Sequence, residues 1–337
     1  MTDTIRRVLS GEMLDPAAAE AAFDRFMSGS ATPVEMAALL TALRVRGERP
    51  GEVAGGVRAL RKAMVRLDLP DDRAVDTCGT GGGTVTTFNI STAASIVAVG
   101  AGARIAKHGN RSFTSRCGSA DVLEALGIPI QLDPADERRC FDETGFAFMY
   151  APAHHPAMKH VGPVRRELAV TTIMNLLGPL ANPASVRRQV IGVARPELLE
   201  LVARTLVELG HLRAMVVHGE PGLDELSPLG PSRVIEVDGG AMSERTIEPS
   251  DFGWPKFAAS DIAGGERDEN AARIRRILEG TDTAAARAAV VLNAAAALWV
   301  AGEVDELAEG VSKAEQAISG GGAAATLQKL QRFRPGA

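Results

Sequence analysis

Apolar positions recur at helical spacing through roughly the first 65 residues, where Met36, Leu39, Leu40 and Leu43 form a stripe suited to a core. Start and stop signals divide this stretch. Asp15-Pro16 reads as an N-cap followed by proline at the first helical position, and Gly29 ends that helix. Thr32-Pro33-Val34-Glu35 is a capping box whose helix runs to Arg46 and stops at Gly47. A third helix follows Arg49-Pro50.

From Arg73 onward, short apolar runs alternate with helical ones. Residues 74–76, 104–106, 147–150, 189–193 and 214–217 read as strands, with 232–237 a further candidate. Residues 91–100, 120–126 and 197–209 read as helices, and the C-terminal part as alanine-rich helices broken at 320–322. This alternation predicts an α/β protein: a small all-helical domain plus a larger α/β domain with a largely parallel central sheet and flanking helices. A strandless stretch from His155 to Pro183, punctuated by Pro156, Pro163 and Pro179, interrupts the alternation. The helical domain is therefore expected to be discontinuous, 1–68 with about 155–185, and the α/β domain to comprise 69–154 with about 186–337.

Composition narrows the function classes. Of 337 residues, 45% are apolar and 23% charged, ordinary values for a soluble globular chain. Aromatics are only 4% and the net charge is −5, so rings for base stacking are few and a general basic surface is lacking. Small anions remain compatible, because a cleft can be basic on an acidic protein. Cys78, Cys117 and Cys140 show no metal-ligand spacing and read as thiols of a reducing cytosol. The N-terminus lacks an apolar signal core, and the apolar stretches 93–103 and 284–301 are interrupted by glycines or by Arg287 and Asn293, short of the ~20 apolar residues of a membrane span. A cytoplasmic protein contacting neither nucleic acid nor membrane is expected.

Three loops after expected strands concentrate polar chemistry, and in open α/β sheets ligands bind at the carboxyl ends of strands. The first, Cys78-Gly79-Thr80-Gly81-Gly82-Gly83, leads through Thr87 to Asn89-Ile90-Ser91-Thr92 at a helix start. Missing β-carbons let backbone N–H groups approach an anion, and the helix N-terminus adds its positive end; glycines alone would equally suit a turn. The second, Lys107-His108-Gly109-Asn110-Arg111-Ser112, continues through Thr114, Ser115, Arg116 and Ser119 as a dense set of donors. The third, residues 218–225, ends in Asp224-Glu225; opposite two anion-binding loops these hard oxygens suit Mg2+ bridging to pyrophosphate oxygens. A fourth element, Gly162-Pro163-Val164-Arg165, offers an arginine that could clamp a planar carboxylate or form a surface salt bridge. His154 and His155 nearby read as capping or packing residues.

At these places the chain resembles the anthranilate phosphoribosyltransferases of tryptophan biosynthesis. The resemblance runs through Gly79-Thr80-Gly81-Gly82, Phe88-Asn89-Ile90-Ser91-Thr92, Ala106-Lys107-His108-Gly109-Asn110-Arg111-Ser112, the segment 118–127, His155-Pro156-Ala157-Met158, Gly162-Pro163-Val164-Arg165, the segment 175–180 and Leu223-Asp224-Glu225. It covers essentially the whole chain in order. It implies transfer of the 5-phosphoribosyl group of phosphoribosyl pyrophosphate (PRPP) to the amine of anthranilate, with Mg2+ as cofactor, in a homodimer. It further implies that Gly79, Gly82, Gly83, Thr87, Asn89, Ile90, Ser91, Thr92, Lys107, His108, Gly109, Asn110, Arg111, Ser112, Ser115 and Ser119 surround PRPP. By the same resemblance Ser91, Asp224 and Glu225 serve the magnesium, and Gly79, Asn110 and Arg165 contact anthranilate. The chain departs from the family's pattern at Gly83, where an aspartate is usual, and at Thr171 and Cys117, where arginine and serine are common. The rival readings are a pyrimidine nucleoside phosphorylase of the same fold and a non-catalytic relative that binds nucleic acid; the intact acids and acidic balance disfavour the second.

Overall fold

Four helices lead the chain in this computed structural model, which describes residues 1–69, 71–112 and 116–336: α1 (Thr2–Leu9), α2 (Pro16–Met27), α3 (Pro33–Arg46) and α4 (Pro50–Lys62). The expected start signals act as caps. Ala18 N–H donates to the Asp15 carboxylate at 2.8 Å, and the box at Thr32 closes in both directions, through Glu35 N–H to Thr32 Oγ1 and Thr32 N–H to the Glu35 carboxylate. Gly47 stops α3 with a φ of 91°, a conformation a side chain would strain. Helix α1, which the spacing of apolar residues does not single out, packs on α3.

The α/β part follows as β1 (Val75–Gly79), α5 (Ile90–Gly100), β2 (Ile105–Gly109), α6 (Ser119–Ala125), α7 (Pro134–Thr144) and β3 (Phe146–Tyr150). The chain then leaves the sheet through α8 (Ala151–His154), α9 (Met158–Leu168) and α10 (Met174–Leu180). It returns as β4 (Arg188–Gly192), α11 (Leu198–Glu208), β5 (Arg213–Gly219), β6 (Ser232–Asp238) and β7 (Ala241–Ile247), and ends in α12 (Arg267–Leu278), α13 (Ala284–Ala301), α14 (Leu307–Ser319) and α15 (Gly322–Arg332). Helix α9 packs on α2 and α3, and α10 on α4, so the excursion from the sheet shares one apolar core with the N-terminal helices.

The sheet has seven strands in the order β3-β2-β1-β4-β5-β6-β7. The first five are parallel; β6 and β7 run antiparallel at the edge. One face carries α5, α13 and the C-terminal helices, the other α11 and the helical layer. Helix α13 is long and apolar enough to cross a membrane by length and composition, yet it lies almost wholly buried against α5 and α14 as a core helix. Because β2 lies on one side of β1 and β4 on the other, chain direction diverges at β1, opening a crevice at the strands' carboxyl ends.

Strand ends differ from the expected ones. Cys78 and Gly79, residues 107–109, and His218 and Gly219 belong to strands β1, β2 and β5, not to the loops that follow them. An apolar run ends at its first polar residue, whereas the hydrogen-bond ladder continues wherever that residue finds a buried partner.

Candidate active site

Lys107 is 2% exposed and points from β2 toward β1 and α5. Its Nζ donates to the Thr77 carbonyl and lies 3.3 Å from Thr77 Oγ1 and 3.4 Å from Ser91 Oγ. Burial lowers its pKa, while the charges of Asp76 and Glu225 oppose that shift and favour the ammonium. Ser91 stands in the first turn of α5, where its backbone N–H donates to Glu225 Oε1 at 2.9 Å. Thr92 Oγ1 is buried without a partner among the described residues.

The carboxylates come from the turn after β5. Asp224 accepts the Gly81 N–H at 2.8 Å, which ties the glycine loop to the acidic turn. Glycine is required for this approach at two positions: a Cβ on Gly79 would overlap the Asp224 carboxylate, and one on Gly192 would overlap its backbone carbonyl. Gly81 and Gly82 have φ of 68° and 82°, and the space where a Cβ would stand on each is open. Burial raises the Asp224 pKa. Burial, and then the Asp224 charge, push Glu225 up to about 8. Glu225 Oε2 has no partner among the described residues. Two adjacent, desolvated carboxylates fit a divalent cation. Among the described residues no group of three or more His, Cys, Asp or Glu side chains could hold an ion, so a cation there would need further oxygen ligands beyond these two acids.

The chain after β2 is pinned from below. Asn110 O accepts from Ala120 N–H and Ser119 Oγ, and Ser112 N–H donates to Asp121 at 3.2 Å. Gly109 has no room for a Cβ beside Ser119 Oγ. Arg111 pairs with α6: its guanidinium lies 2.9 Å from Asp121 and 2.6 Å from Glu124, hydrogen bonds that raise its pKa. Ser115 and Thr114 lie outside the described residues. Asn89 donates to the Cys117 carbonyl at 3.0 Å and accepts from Asn270 at 3.1 Å, while Ile90 is fully buried. The Thr87 backbone bridges to Ala263, and Gly83 lies close under the Gly222 carbonyl.

Gly79, Gly81, Ser91, Lys107, Asp224 and Glu225 are thus joined by direct contacts at one crevice. Arg165 is not joined to them. It sits half-buried on α9 with its pKa lowered by burial, and no acid or acceptor among the described residues pairs with its guanidinium. One link between the two regions is His155, whose ring lies 5.0 Å from that of His108, between the excursion and β2. His154 instead spans Glu137 (2.9 Å) and the Val65 carbonyl (2.8 Å), a buried packing role. Thr77, Gly192 and Asn270 escape sequence reasoning: each is a single residue inside an ordinary strand or helix, and only Gly192, a glycine ending an apolar strand, carries a signal that could have found it.

Comparison with known proteins agrees with this geometry. Residues 2–64 match the glycosyl transferase family helical bundle domain and residues 71–324 the glycosyl transferase family a/b domain. The anthranilate phosphoribosyltransferase of Rubrobacter xylanophilus is 48% identical over 98% of this chain and 97% of its own. The crystal structure of the Thermus thermophilus anthranilate phosphoribosyltransferase superimposes with a TM-score of 0.93 at 41% identity, covering 98% of this chain and 99% of that one. The Saccharomyces cerevisiae enzyme, solved in complex with PRPP and Mg, gives a TM-score of 0.88 at 28% identity over 98% of this chain and 96% of its own. With a matching bundle, a matching α/β domain and near-complete coverage by such relatives, the chain belongs to the anthranilate phosphoribosyltransferase family.

Proposed function

We propose that this chain transfers the 5-phosphoribosyl group of PRPP to the amine of anthranilate, giving N-(5-phosphoribosyl)anthranilate and pyrophosphate in tryptophan biosynthesis. The observation that carries this reading is the convergence of the glycine loop, Lys107 and the Asp224-Glu225 turn on one crevice. Yeast relatives were solved with PRPP and Mg and with 4-fluoroanthranilate, which supports the same donor, ion and class of acceptor here.

The donor site comprises Gly79, Gly82, Gly83, Thr87, Asn89, Ile90, Ser91, Thr92, Lys107, His108, Gly109, Asn110, Arg111, Ser112, Ser115 and Ser119, and Arg111 also braces the loop through Glu124 and Asp121. Ser91, Asp224 and Glu225 would hold Mg2+, which when bound offsets charge on the diphosphate. Backbone N–H groups of the glycine loop and the Lys107 ammonium stabilise the negative charge that grows on the departing pyrophosphate. Arg165 grips the anthranilate carboxylate, and Asn110 and Gly79 help set the acceptor. The aromatic amine is neutral at pH 7, so the chain has only to align it with the anomeric carbon. No side chain need remove a proton before attack.

The helical layer is assigned as one discontinuous domain, 1–68 with about 155–185, on the packing of α9 and α10 against α2, α3 and α4. A homodimer is assigned on the stripe of exposed Val34, Thr41 and Val45 with half-buried Ala38 on α3, together with exposed Leu9 and Met13. Unbridged Cys78 and Cys140 suit a cytoplasmic setting.

The test follows anthranilate fluorescence. Loss of signal only when PRPP and Mg2+ are both present supports the reading; orthophosphate-dependent nucleoside cleavage without anthranilate consumption overturns it.

A further inference from the structure

Gln189 is fully buried in β4, where the register sets it directly beside Asp76 of β1. Its amide is completely engaged. Nε2 donates to the Pro179 carbonyl at 2.6 Å and to Asp76 Oδ2 at 3.1 Å, with Cys78 Sγ at 3.5 Å, and Oε1 lies 3.2 Å from His211 Nε2. Burial drives the His211 pKa down to about 3, so the imidazole is neutral and its one proton is shared between two acceptors, Gln189 Oε1 at Nε2 and the Leu206 carbonyl 3.2 Å from Nδ1. The second oxygen of Asp76 accepts the His108 N–H at 3.1 Å.

These contacts form one buried path. It starts at Pro179, on the helix after the one that bears Arg165. It crosses Gln189 and Asp76 to the backbone of His108, the neighbour of Lys107. A parallel tie supports it: Asn182, just past Pro179, donates to the Ala106 carbonyl of β2 at 2.9 Å. Among the described residues, Arg165 has no ion pair, so its place relative to the phosphate loop is set by the packing of α9 on α2 and α3 together with the ties that bolt the excursion to the sheet.

We propose that Gln189, acting with Asp76, is a positioning residue that sets the distance between the carboxylate-gripping Arg165 and the donor-holding Lys107. The idea rests on the transfer reaction proposed above. Gln189 touches neither substrate. It fixes the relation between two sites, so its loss weakens use of the acceptor far more than binding of the donor.

The test is a double-mutant cycle between Gln189→Met and Arg165→Ala, read as kcat and KM for anthranilate and as Kd for PRPP with Mg2+. Gln189→Met keeps length and removes every hydrogen bond. It should raise the anthranilate KM about tenfold or more while the PRPP Kd moves less than about threefold, in protein that is folded by circular dichroism at the assay temperature. Once the position of Arg165 is lost, removing it costs little, so Arg165→Ala should cost less than about threefold in the Gln189→Met background. Gln189→Leu supplies the same reading if Gln189→Met fails to fold, because it also removes every hydrogen bond of the amide and leaves the Asp76 charge beside Lys107 in place. An Arg165→Ala cost equal in both backgrounds, or equal loss of donor and acceptor binding, overturns the proposal. An active wild type with that result sinks the positioning role alone, whereas a wild type that consumes no anthranilate removes the reaction and this inference with it.

Discussion

At the scale of single residues, the proposed acceptor end rests on Arg165 and the proposed metal end on Glu225. Arg165→Ala should remove a charge-assisted contact worth about 1.5–3 kcal/mol, which corresponds to a ten- to hundredfold fall in kcat/KM for anthranilate. An unchanged value rejects the carboxylate grip. Glu225, at about 8, binds its proton more tightly folded than unfolded, where a carboxyl sits near 4.5. Its contribution to stability is therefore full below about pH 4.5 and fades as pH rises through about 8. In metal-free buffer, wild-type stability relative to Glu225→Gln should fall as pH rises through that window, measured by thermal melting. A pH-independent difference between the two proteins contradicts the assignment. The residues legible in the sequence were those in dense motifs: Gly79, Lys107, Asp224 and Glu225 all stand among glycines, donors or paired acids. Gln189, Asp76 and Thr77 were not, because each is one polar residue in a strand and its partners come from other elements of the fold.

At the scale of elements, local chemistry determines where helices start. Thr32 and Glu35 satisfy two N–H groups at the start of α3, and Thr32→Ala should cost about 1 kcal/mol of unfolding free energy in urea while leaving turnover intact. A midpoint unaltered by the substitution would show that α3 is held by packing alone. The same locality explains which elements could be read in advance. Caps at Asp15, Thr32 and Arg49-Pro50 involve neighbours in sequence, and those helices appear where expected. Strand ends depend on neighbours in space, so β1 and β2 extend to Gly79 and Gly109, past the apolar runs. Strand β7 escaped notice because, as an exposed edge strand, it is largely polar; Gly239-Gly240, both at positive φ, was the available turn signal.

At the scale of the whole molecule, a parallel sheet and a helical layer were legible from alternation and from the proline-rich gap in it, but strand order was not. That order depends on β1 lying between β2 and β4, which no local pattern encodes. The proposed dimer rests on an exposed apolar stripe: Val34 is 78% and Val45 83% exposed on one face of α3. Val34→Glu with Val45→Glu should halve the mass seen by sedimentation while the isolated chain stays folded; a wild type already monomeric at micromolar concentration contradicts the dimer. The central claim is that strand ends far apart in sequence enclose one diphosphorylated sugar beside paired acids. Crystals grown with PRPP and Mn2+ in place of Mg2+ test it most directly through anomalous scattering. A manganese peak is expected beside Asp224 and Glu225, with diphosphate density over Gly79–Gly82 and Lys107. Ordered PRPP on any other face, or manganese remote from both carboxylates, would contradict it.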